Sequence, residues 1–182
     1  MATLESCEIH SMSLEFLTWS QMGQFFGDDS DRFKQMHLAE SILFLPYGCA
    51  VDHFQHLVYA EPTASPEQRN KLWQEMEALY LPWRNYGDLA HPVAGGLWQE
   101  KQHIYFSPFY YIDYTLALCC ALQFWVKAAQ DKEKTMAEYI ELCRLGGQAP
   151  FQQLVKAANL VSPFQAGSLS AVVKQAQEYL QL

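Results

Sequence analysis

The chain has 182 residues and a formal net charge of −8, and half of its residues are hydrophobic while only 18% are charged. This length suits a single domain with a substantial core. The negative charge disfavours a nucleic-acid backbone or an anionic membrane surface as partner. Because soluble domains usually contain about 25% charged residues, part of the apolar surface is expected to be covered by another partner.

No apolar run approaches the roughly 18 residues that a membrane-spanning helix needs. The first residues also lack the basic start and apolar core of a signal peptide, so we expect a cytoplasmic protein. The cysteines are odd in number and contain no CxxC pair, which predicts reduced, buried thiols. They are Cys7, Cys49, Cys119, Cys120 and Cys143.

The first predicted helix covers residues 1–26, where apolar residues are too dense for strand alternation, and Gly27 ends it. Glu8 and Glu15 lie seven residues apart and therefore on one face of this helix. Two carboxylates on a mostly apolar helix need a partner or access to water. They either face water or pair with a cation, or one binds a metal and the other supports the site.

The second predicted helix begins near Arg32, after an acidic run at residues 28–31 that suits a helix start. Pro46 interrupts the pattern, so we expect a kink or two separate helices. Beyond it, His53 and His56 are three residues apart on one face. That spacing is compatible with a shared metal ion, although paired histidines are more often polar surface.

The clearest helix start has Ser65 as N-cap, Pro66 at the first helical position and Gln68 completing a capping box. Pro82 ends this helix. Residues 82–97 are rich in proline and glycine and predict a long loop, a kind of segment that is often functional.

The rest of the chain again has helical patterns, and the stretch over residues 113–130 is apolar on nearly all sides, which predicts the central buried helix. Residues 131–134 are expected to form a solvated turn. No strand pattern occurs, so the predicted fold class is all-α in one domain over residues 1–182. The other predicted helices cover residues 96–103, 135–145, 150–159 and 169–180.

The run from Gln102 to Thr115 contains four tyrosines, two phenylalanines and one histidine. Pro108 disfavours helix just before it, so residues 103–108 are expected to be irregular, with helix resuming near Tyr110 or Ile112. The run is therefore predicted to be a polar loop that opens into the buried helix.

Tyr111 and Tyr114 within this run are three residues apart and share one helical face. Together with His103 they place two phenols and an imidazole where hydrogen bonds could reach an oxyanion. The alternative interpretation is an aromatic core with tyrosine hydroxyls at its edge.

Two segments of the sequence resemble a known enzyme family. One runs from Glu8 to Leu17, Glu-Ile-His-Ser-Met-Ser-Leu-Glu-Phe-Leu, and the other runs from His103 to Tyr114. With Leu145-Gly146-Gly147 and Ser162-Pro163-Phe164, they resemble the C-terminal catalytic segment of the oligoendopeptidase F family, gluzincin-type zinc metallopeptidases related to thimet oligopeptidase. The resemblance covers essentially the whole chain and implies the C-terminal, all-α half of a zincin-like catalytic domain.

The resemblance implies a set of functional residues. The family's catalytic zinc is held by the two histidines of an H-E-x-x-H helix and by a glutamate that Glu8 resembles. Glu15 would support the zinc histidines, Tyr111 and Tyr114 would stabilise the oxyanion, and His103 would face the substrate. The implied reaction is attack of zinc-bound water on a peptide carbonyl, with the H-E-x-x-H glutamate as base.

None of the six histidines lies in an H-E-x-x-H motif. The chain resembles the last third of such a peptidase, beginning just after the zinc helix. Two zinc ligands and the general base are then missing, so we expect a truncated chain that is inactive alone. A single carboxylate does not hold zinc against water, so little or no zinc is expected to bind.

Three hypotheses follow. The chain is the C-terminal portion of a zinc oligoendopeptidase that acts on short peptides, either truncated or paired with a separate N-terminal half that carries H-E-x-x-H. Alternatively, it is a non-catalytic peptide-binding or protein-interaction module derived from such a peptidase. The third hypothesis is a self-contained metal protein using His53, His56 and Glu8. The high apolar fraction also predicts that the isolated chain forms a dimer or larger oligomer.

Overall fold

A computed structural model describes residues 3–182, and within that range the fold is helical, with no strand. The all-α class predicted from the sequence is confirmed. The α-helices of the described range, α1 to α10 in chain order, are Leu4–Leu17, Gly23–Phe26, Ser30–Ala60, Pro66–Tyr80, Ala90–Val93, Gln102–Phe106, Tyr111–Gln130, Lys132–Leu145, Phe151–Ala157 and Ser170–Leu180. Short 3-10 turns lie at Trp19–Gln21, Gly27–Asp29 and Leu97–Glu100.

The helices divide into two compact units. Residues 3–42 and Leu116–Leu182 make up the first unit, and Leu43–Thr115 make up the second. The long helices α3 and α7 contribute residues to both. The single domain expected from the sequence remains a prediction.

The first unit has its core on the apolar helix α7. Phe124 is fully buried and packs edge-to-face on Tyr139 of α8, with ring centroids 5.9 Å apart. The hydroxyl of Tyr139 donates a hydrogen bond to the His10 carbonyl at 2.8 Å, which ties α8 to α1. The buried residues of this core are Ile9, Leu17, Ala117, Cys120, Phe124, Tyr139, Leu142, Phe151, Leu154, Val155, Ala158 and Leu160.

The second unit is built where α3 packs on α4. Phe54 and Trp73 are both fully buried and meet edge-to-face at 5.4 Å, a favoured geometry for aromatic pairs. Gly48 of α3 lies so close to Thr115 that a Cβ added at this glycine would be 1.9 Å from Oγ1. The buried residues of this core are Ala50, Val51, Phe54, Trp73, Met76, Leu81, Trp98, Ile104 and Tyr111.

Local sequence chemistry predicts some helix starts correctly. At α4 the Ser65 hydroxyl accepts from the Gln68 N–H at 3.3 Å, and the Gln68 side chain accepts from the Ser65 N–H at 2.7 Å. Helix α7 begins at Tyr111, as expected. The expected solvated turn before α8 is wrong, because Asp131 is the N-cap and accepts from the Lys134 N–H at 3.0 Å.

Two helices expected near the start of the chain differ from the structure. The single helix over residues 1–26 is wrong, because α1 ends at Leu17 and the Thr18 hydroxyl instead donates to the Leu14 carbonyl at 2.7 Å. Of the two outcomes expected at Pro46, the division into two helices is wrong, since α3 continues through the proline, and the kink stays a prediction. Buried residues on both sides of the proline stabilise the helix despite the lost hydrogen bond.

The expected irregular stretch at residues 103–108 is mostly helical. Helix α6 runs to Phe106, and the irregular part is reduced to the short turn over residues 107–110. Pro108 acts only on this turn, where it prevents α6 from joining α7 directly.

Within residues 3–182 the five cysteines form no disulfide bond, but the expectation that all are buried is wrong. Cys119 and Cys120 are buried in α7, whereas Cys7 and Cys143 are exposed. Across residues 3–182, no helix combines the length and apolarity needed to cross a bilayer.

Candidate functional site

The junction of α6 and α7 carries a cluster of one imidazole and three phenols. The ring of His103 lies 5.2 Å from that of Tyr111 and 5.6 Å from that of Tyr114, measured between centroids. The Tyr111 and Tyr114 rings are 5.5 Å apart. The structure therefore brings together the three residues that the sequence singled out in this run.

Tyr114 and His103 also approach each other through polar atoms. The Tyr114 hydroxyl lies 3.3 Å from Nε2 of His103, within reach of a hydrogen bond. Tyr110 completes the group, with its ring 4.9 Å from Tyr114 and 6.0 Å from His103. Sequence reasoning treated Tyr110 only as a possible helix start, although its position four residues before Tyr114 is itself a spacing that can place both rings on one side.

Tyr111 is the most buried member of the cluster, with 8% of its surface exposed. Its hydroxyl forms a hydrogen bond with that of Tyr47 on α3, and the two rings meet edge-to-face at 6.0 Å. Burial is the main cause that raises the pKa of both phenols above the usual value. Both therefore stay protonated near neutral pH and retain a proton for hydrogen bonding.

Two cations lie over the ring of Tyr47. The Arg84 guanidinium carbon is 4.9 Å from the ring centroid, and the Lys101 ammonium is 5.4 Å from it. Each such contact contributes about 0.5–1 kcal/mol at a partly exposed site. Nothing in the sequence indicated Tyr47, because its partners Tyr111, Arg84 and Lys101 are all distant in the chain.

Arg84 is itself held in place by an acid. Its guanidinium lies 3.3 Å from Oε1 of Glu77, and the Tyr86 hydroxyl donates to the same oxygen at 2.5 Å. Glu77 is only 7% exposed, so the three groups satisfy a buried charge together. Burial, followed by the hydrogen bond to Glu77, raises the pKa of Tyr86.

The two glutamates predicted on α1 have different surroundings. Glu8 is half-buried, and its Oε2 accepts a hydrogen bond from the Ser11 hydroxyl at 3.2 Å. Oε2 of Glu15 lies 2.8 Å from Nε2 of His37. Because Nδ1 of His37 accepts from the Trp19 indole N–H at 3.0 Å, the ring proton is on Nε2 and is donated to Glu15.

The described residues do not form a metal site by themselves. Among residues 3–182, no three His, Cys, Asp or Glu side chains are grouped so that they could hold a metal ion. Nδ1 of His53 lies 3.1 Å from the Tyr80 hydroxyl, and Nε2 of His56 lies 3.5 Å from Oδ2 of Asp52. Within the second unit, His53 and His56 therefore contact Tyr80 and Asp52 rather than a common third ligand; the self-contained metal site that would combine them with Glu8 stays a prediction.

Comparison with known proteins identifies the family. The sequence model of Peptidase family M3 matches residues 2–173. The chain belongs to this family. A search of curated proteins gives no match to this M3 chain.

Solved structures agree with the M3 assignment over the whole chain. A proposed oligoendopeptidase F is 51% identical with a TM-score of 0.96, and PZ peptidase A, determined with an inhibitor, is 46% identical with a TM-score of 0.96. A proposed oligoendopeptidase F from Bacillus anthracis str. Ames is 44% identical with a TM-score of 0.84. The resemblance found in the sequence is thereby confirmed.

This M3 chain is much shorter than the structures that it matches. All of its residues are covered in each comparison, but they correspond to 32%, 32% and 29% of the three matched chains. It therefore spans about a third of their length, and its own residues include no H-E-x-x-H motif.

Proposed function

We propose that this chain forms the substrate-facing C-terminal part of a zinc-dependent oligoendopeptidase that hydrolyses short peptides. The observation that carries the proposal is the cluster of Tyr111, Tyr114 and His103 in a chain matched by Peptidase family M3. These groups can donate hydrogen bonds, and a hydrolysed peptide carbonyl develops negative charge that such donors stabilise.

Tyr111 and Tyr114 are assigned to the oxyanion and His103 to the bound peptide. The raised pKa of Tyr111 supports a donor role, because a phenol that keeps its proton can give a hydrogen bond at any physiological pH. The 3.3 Å approach of Tyr114 to His103 restrains both side chains before a substrate binds. Preorganised donors of this kind need no rearrangement as the charge develops.

Zinc is the metal that the family resemblance implies, and the donors in this chain do not suffice for it. Glu8 offers one carboxylate, whereas a catalytic zinc usually has three protein ligands. In the complete enzyme, Glu8 would be one ligand and Glu15 would support the zinc histidines.

A complementary segment that carries H-E-x-x-H would be the partner. Several large apolar side chains of the first unit are exposed, among them Phe25 at 73% and Met36 at 52%. Either the complementary segment or a second copy of the chain would cover such surface. Sedimentation of the isolated chain at micromolar concentration tests self-association, and a clean monomer would remove it.

Complementation tests the proposed activity directly. The chain is mixed with the part of the 51% identical relative that it does not match, and cleavage of a quenched-fluorescent short peptide is measured. We expect neither part to be active alone and the zinc-loaded mixture to be active. In that mixture, Tyr114→Phe should lower kcat by about 10²- to 10³-fold.

Tyr179→Phe is the matched control, since it removes a phenol hydroxyl from the first unit, away from the cluster residues in the sequence. It should leave kcat unchanged. An active mixture in which both Tyr111→Phe and Tyr114→Phe retain full activity would disprove the oxyanion role of the cluster.

The alternative function is a non-catalytic peptide-binding module. It is supported by the fact that His103, Tyr111 and Tyr114 all belong to this chain and contact one another within it. Binding of a fluorescent short peptide to the isolated chain, measured with and without a strong chelator, separates the two functions. Binding that survives chelation, together with an inactive mixture, would support the module.

A further inference from the structure

We infer that Gln55 is a positioning residue for the tyrosine cluster, because its buried amide fixes the turn that joins α6 to α7. The consequence for catalysis rests on the proposed function, whereas the contact itself is a property of the second unit. The turn covers residues 107–110 and leads directly into Tyr111.

Gln55 is fully buried in the C-terminal part of α3. Its Oε1 accepts a hydrogen bond from the backbone N–H of Phe109 at 2.8 Å, and its Nε2 lies 3.4 Å from the Val51 carbonyl. A buried amide is costly unless it is hydrogen-bonded. The partner 54 residues along the chain therefore accounts for a glutamine at a core position.

Phe109 has a backbone conformation that needs such support. Its φ is 64°, in the left-handed region, which is uncommon for a bulky residue. Residues in this region persist when their surroundings hold them there. The Phe109 ring lies 4.9 Å from that of His56 and 5.3 Å from that of Tyr59, so α3 contacts both the side chain and the backbone of this residue.

The strained residue sits immediately before the cluster. Tyr110 and Tyr111 follow Phe109 directly, and the Tyr110 N–H donates to the Ser107 carbonyl at 3.2 Å to close the turn. A change in φ at Phe109 redirects the chain that enters α7. The positions of the phenol rings relative to His103 therefore depend on the conformation that Gln55 stabilises.

The chain provides a matched control in its other unit. Gln123 of α7 is 8% exposed, and its amide accepts from the Val161 N–H at 2.8 Å and donates to the Val161 carbonyl at 2.9 Å. It thus holds a distant loop by the same chemistry as Gln55. Gln123→Met removes such a contact without touching the tyrosine cluster.

Amide hydrogen exchange on the 182-residue chain, followed by NMR, tests the inference without any catalysis. In the unmodified chain, the Phe109 amide should be protected although the residue is 40% exposed. Gln55→Met should accelerate its exchange at least about tenfold, while Gln123→Met should act on Val161 and leave Phe109 unchanged. The ¹⁵N resonance of His103 Nε2 should shift only in Gln55→Met.

A Phe109 amide that exchanges freely in the unmodified chain would overturn the inference, even if Gln55→Met failed to fold. So would equal acceleration at Phe109 and Val161 in Gln55→Met, since that indicates general destabilisation.

A second variant distinguishes positioning from simple packing. Glycine adopts a positive φ without strain, so Phe109→Gly should reduce the effect of Gln55→Met on the His103 resonance. If the effects of Gln55→Met and Phe109→Gly on the His103 resonance were strictly additive, Gln55 would have only a packing role, and the inference would be overturned. In the complemented peptidase, Gln55→Met should lower kcat by about tenfold with less change in KM. If complementation fails, the exchange result still stands, so the two proposals fail separately.

Discussion

Oε2 of Glu15 lies 2.8 Å from Nε2 of His37, on a ring whose other nitrogen accepts a hydrogen bond from Trp19. The Trp19 contact places the ring proton on Nε2, so the carboxylate receives a directed hydrogen bond. The Glu15 side chain is nevertheless 57% exposed, and solvent weakens the pair. Glu15 is therefore oriented by its own unit at modest energetic gain.

Glu15→Gln should accordingly change the free energy of unfolding by no more than about 0.5 kcal/mol, because the amide oxygen still accepts from Nε2–H and exposed pairs contribute little. In the complemented, zinc-loaded peptidase it should lower zinc affinity by about 10- to 100-fold, as expected for a group that supports metal ligands. Urea denaturation and competition with a chelator measure the two effects. Glu141→Gln, at a 56% exposed glutamate paired with Arg144, is the control; equal zinc affinity in both variants would contradict the supporting role.

Gly48→Ala should destabilise the chain by about 3 kcal/mol, the upper end for overpacking a dense contact. The new Cβ would lie 1.9 Å from Oγ1 of Thr115, and 3.3 Å from its Cβ. Urea denaturation measures the loss. Thr115→Ala in the same chain should restore most of it, because that hydroxyl is buried without a hydrogen-bond partner among the described residues.

Gly23→Ala is the control for the added methyl group, since nothing lies within 4 Å of a Cβ at that glycine. It should be neutral or slightly stabilising. A similar loss for Gly23→Ala and Gly48→Ala would show that the close approach of Gly48 to Thr115 is not the cause.

Sequence reasoning succeeded where a few neighbouring residues determine the structure. Ser65 and Gln68 cap α4 as expected, and His103, Tyr111 and Tyr114 meet because they are close in the chain. It failed where contacts between residues that are distant in the chain determine the structure. The Tyr47 contact with Tyr111 depends on how α3 packs, which no local spacing encodes.

The same limit explains the errors in helix bounds. Helix α1 ends at Leu17. Just beyond it, the Thr18 hydroxyl donates to the Leu14 carbonyl, and the Trp19 indole N–H donates to Nδ1 of His37. The apolar pattern continues unchanged through these positions, so it could not indicate the break. Pro46 is tolerated inside α3 for the converse reason, because packing outweighs a local preference.

The ion pair of Glu138 with Lys127 makes stability depend on pH. The ammonium lies 2.5 Å from Oε2 of Glu138, and Asn159 donates to Oε1 at 3.1 Å. Burial alone would raise the pKa of Glu138, but the hydrogen bond and charge of Lys127, with Asn159 and Lys134, outweigh it and hold the pKa below the usual 4.5. The stabilisation is therefore present above pH 4.5 and is lost as the pH falls through the lower folded-state value.

Glu138→Gln should thus cost about 1 kcal/mol at pH 7 after allowing for screening, and progressively less as the pH falls below 4.5. Urea denaturation at a series of pH values measures this difference. Glu141→Gln serves again as the exposed control. A cost of Glu138→Gln that is equal at pH 7 and pH 3 would indicate a neutral packing effect rather than the ion pair.

Tyr47→Phe should remove the hydrogen bond to Tyr111 while keeping the aromatic face under Arg84 and Lys101. The Tyr111 hydroxyl would then be left in a buried setting without this partner, at a cost of about 1–2 kcal/mol in the free energy of unfolding. Tyr139→Phe is matched, because it deletes a buried hydroxyl that donates to the His10 carbonyl at 2.8 Å in the first unit. Both variants should lose similar stability in urea.

Only Tyr47→Phe should act on the reaction of the complemented peptidase. Because Tyr47 orients the phenol of Tyr111, its loss should lower kcat by about tenfold and change KM little, as expected for an interaction that matters mainly in the transition state. Steady-state kinetics on the quenched-fluorescent peptide separates the two constants. If Tyr47→Phe and Tyr139→Phe gave the same kcat, Tyr47 would be a structural residue alone, and the orientation of Tyr111 would have to come from the ring contacts with Phe44 and His103.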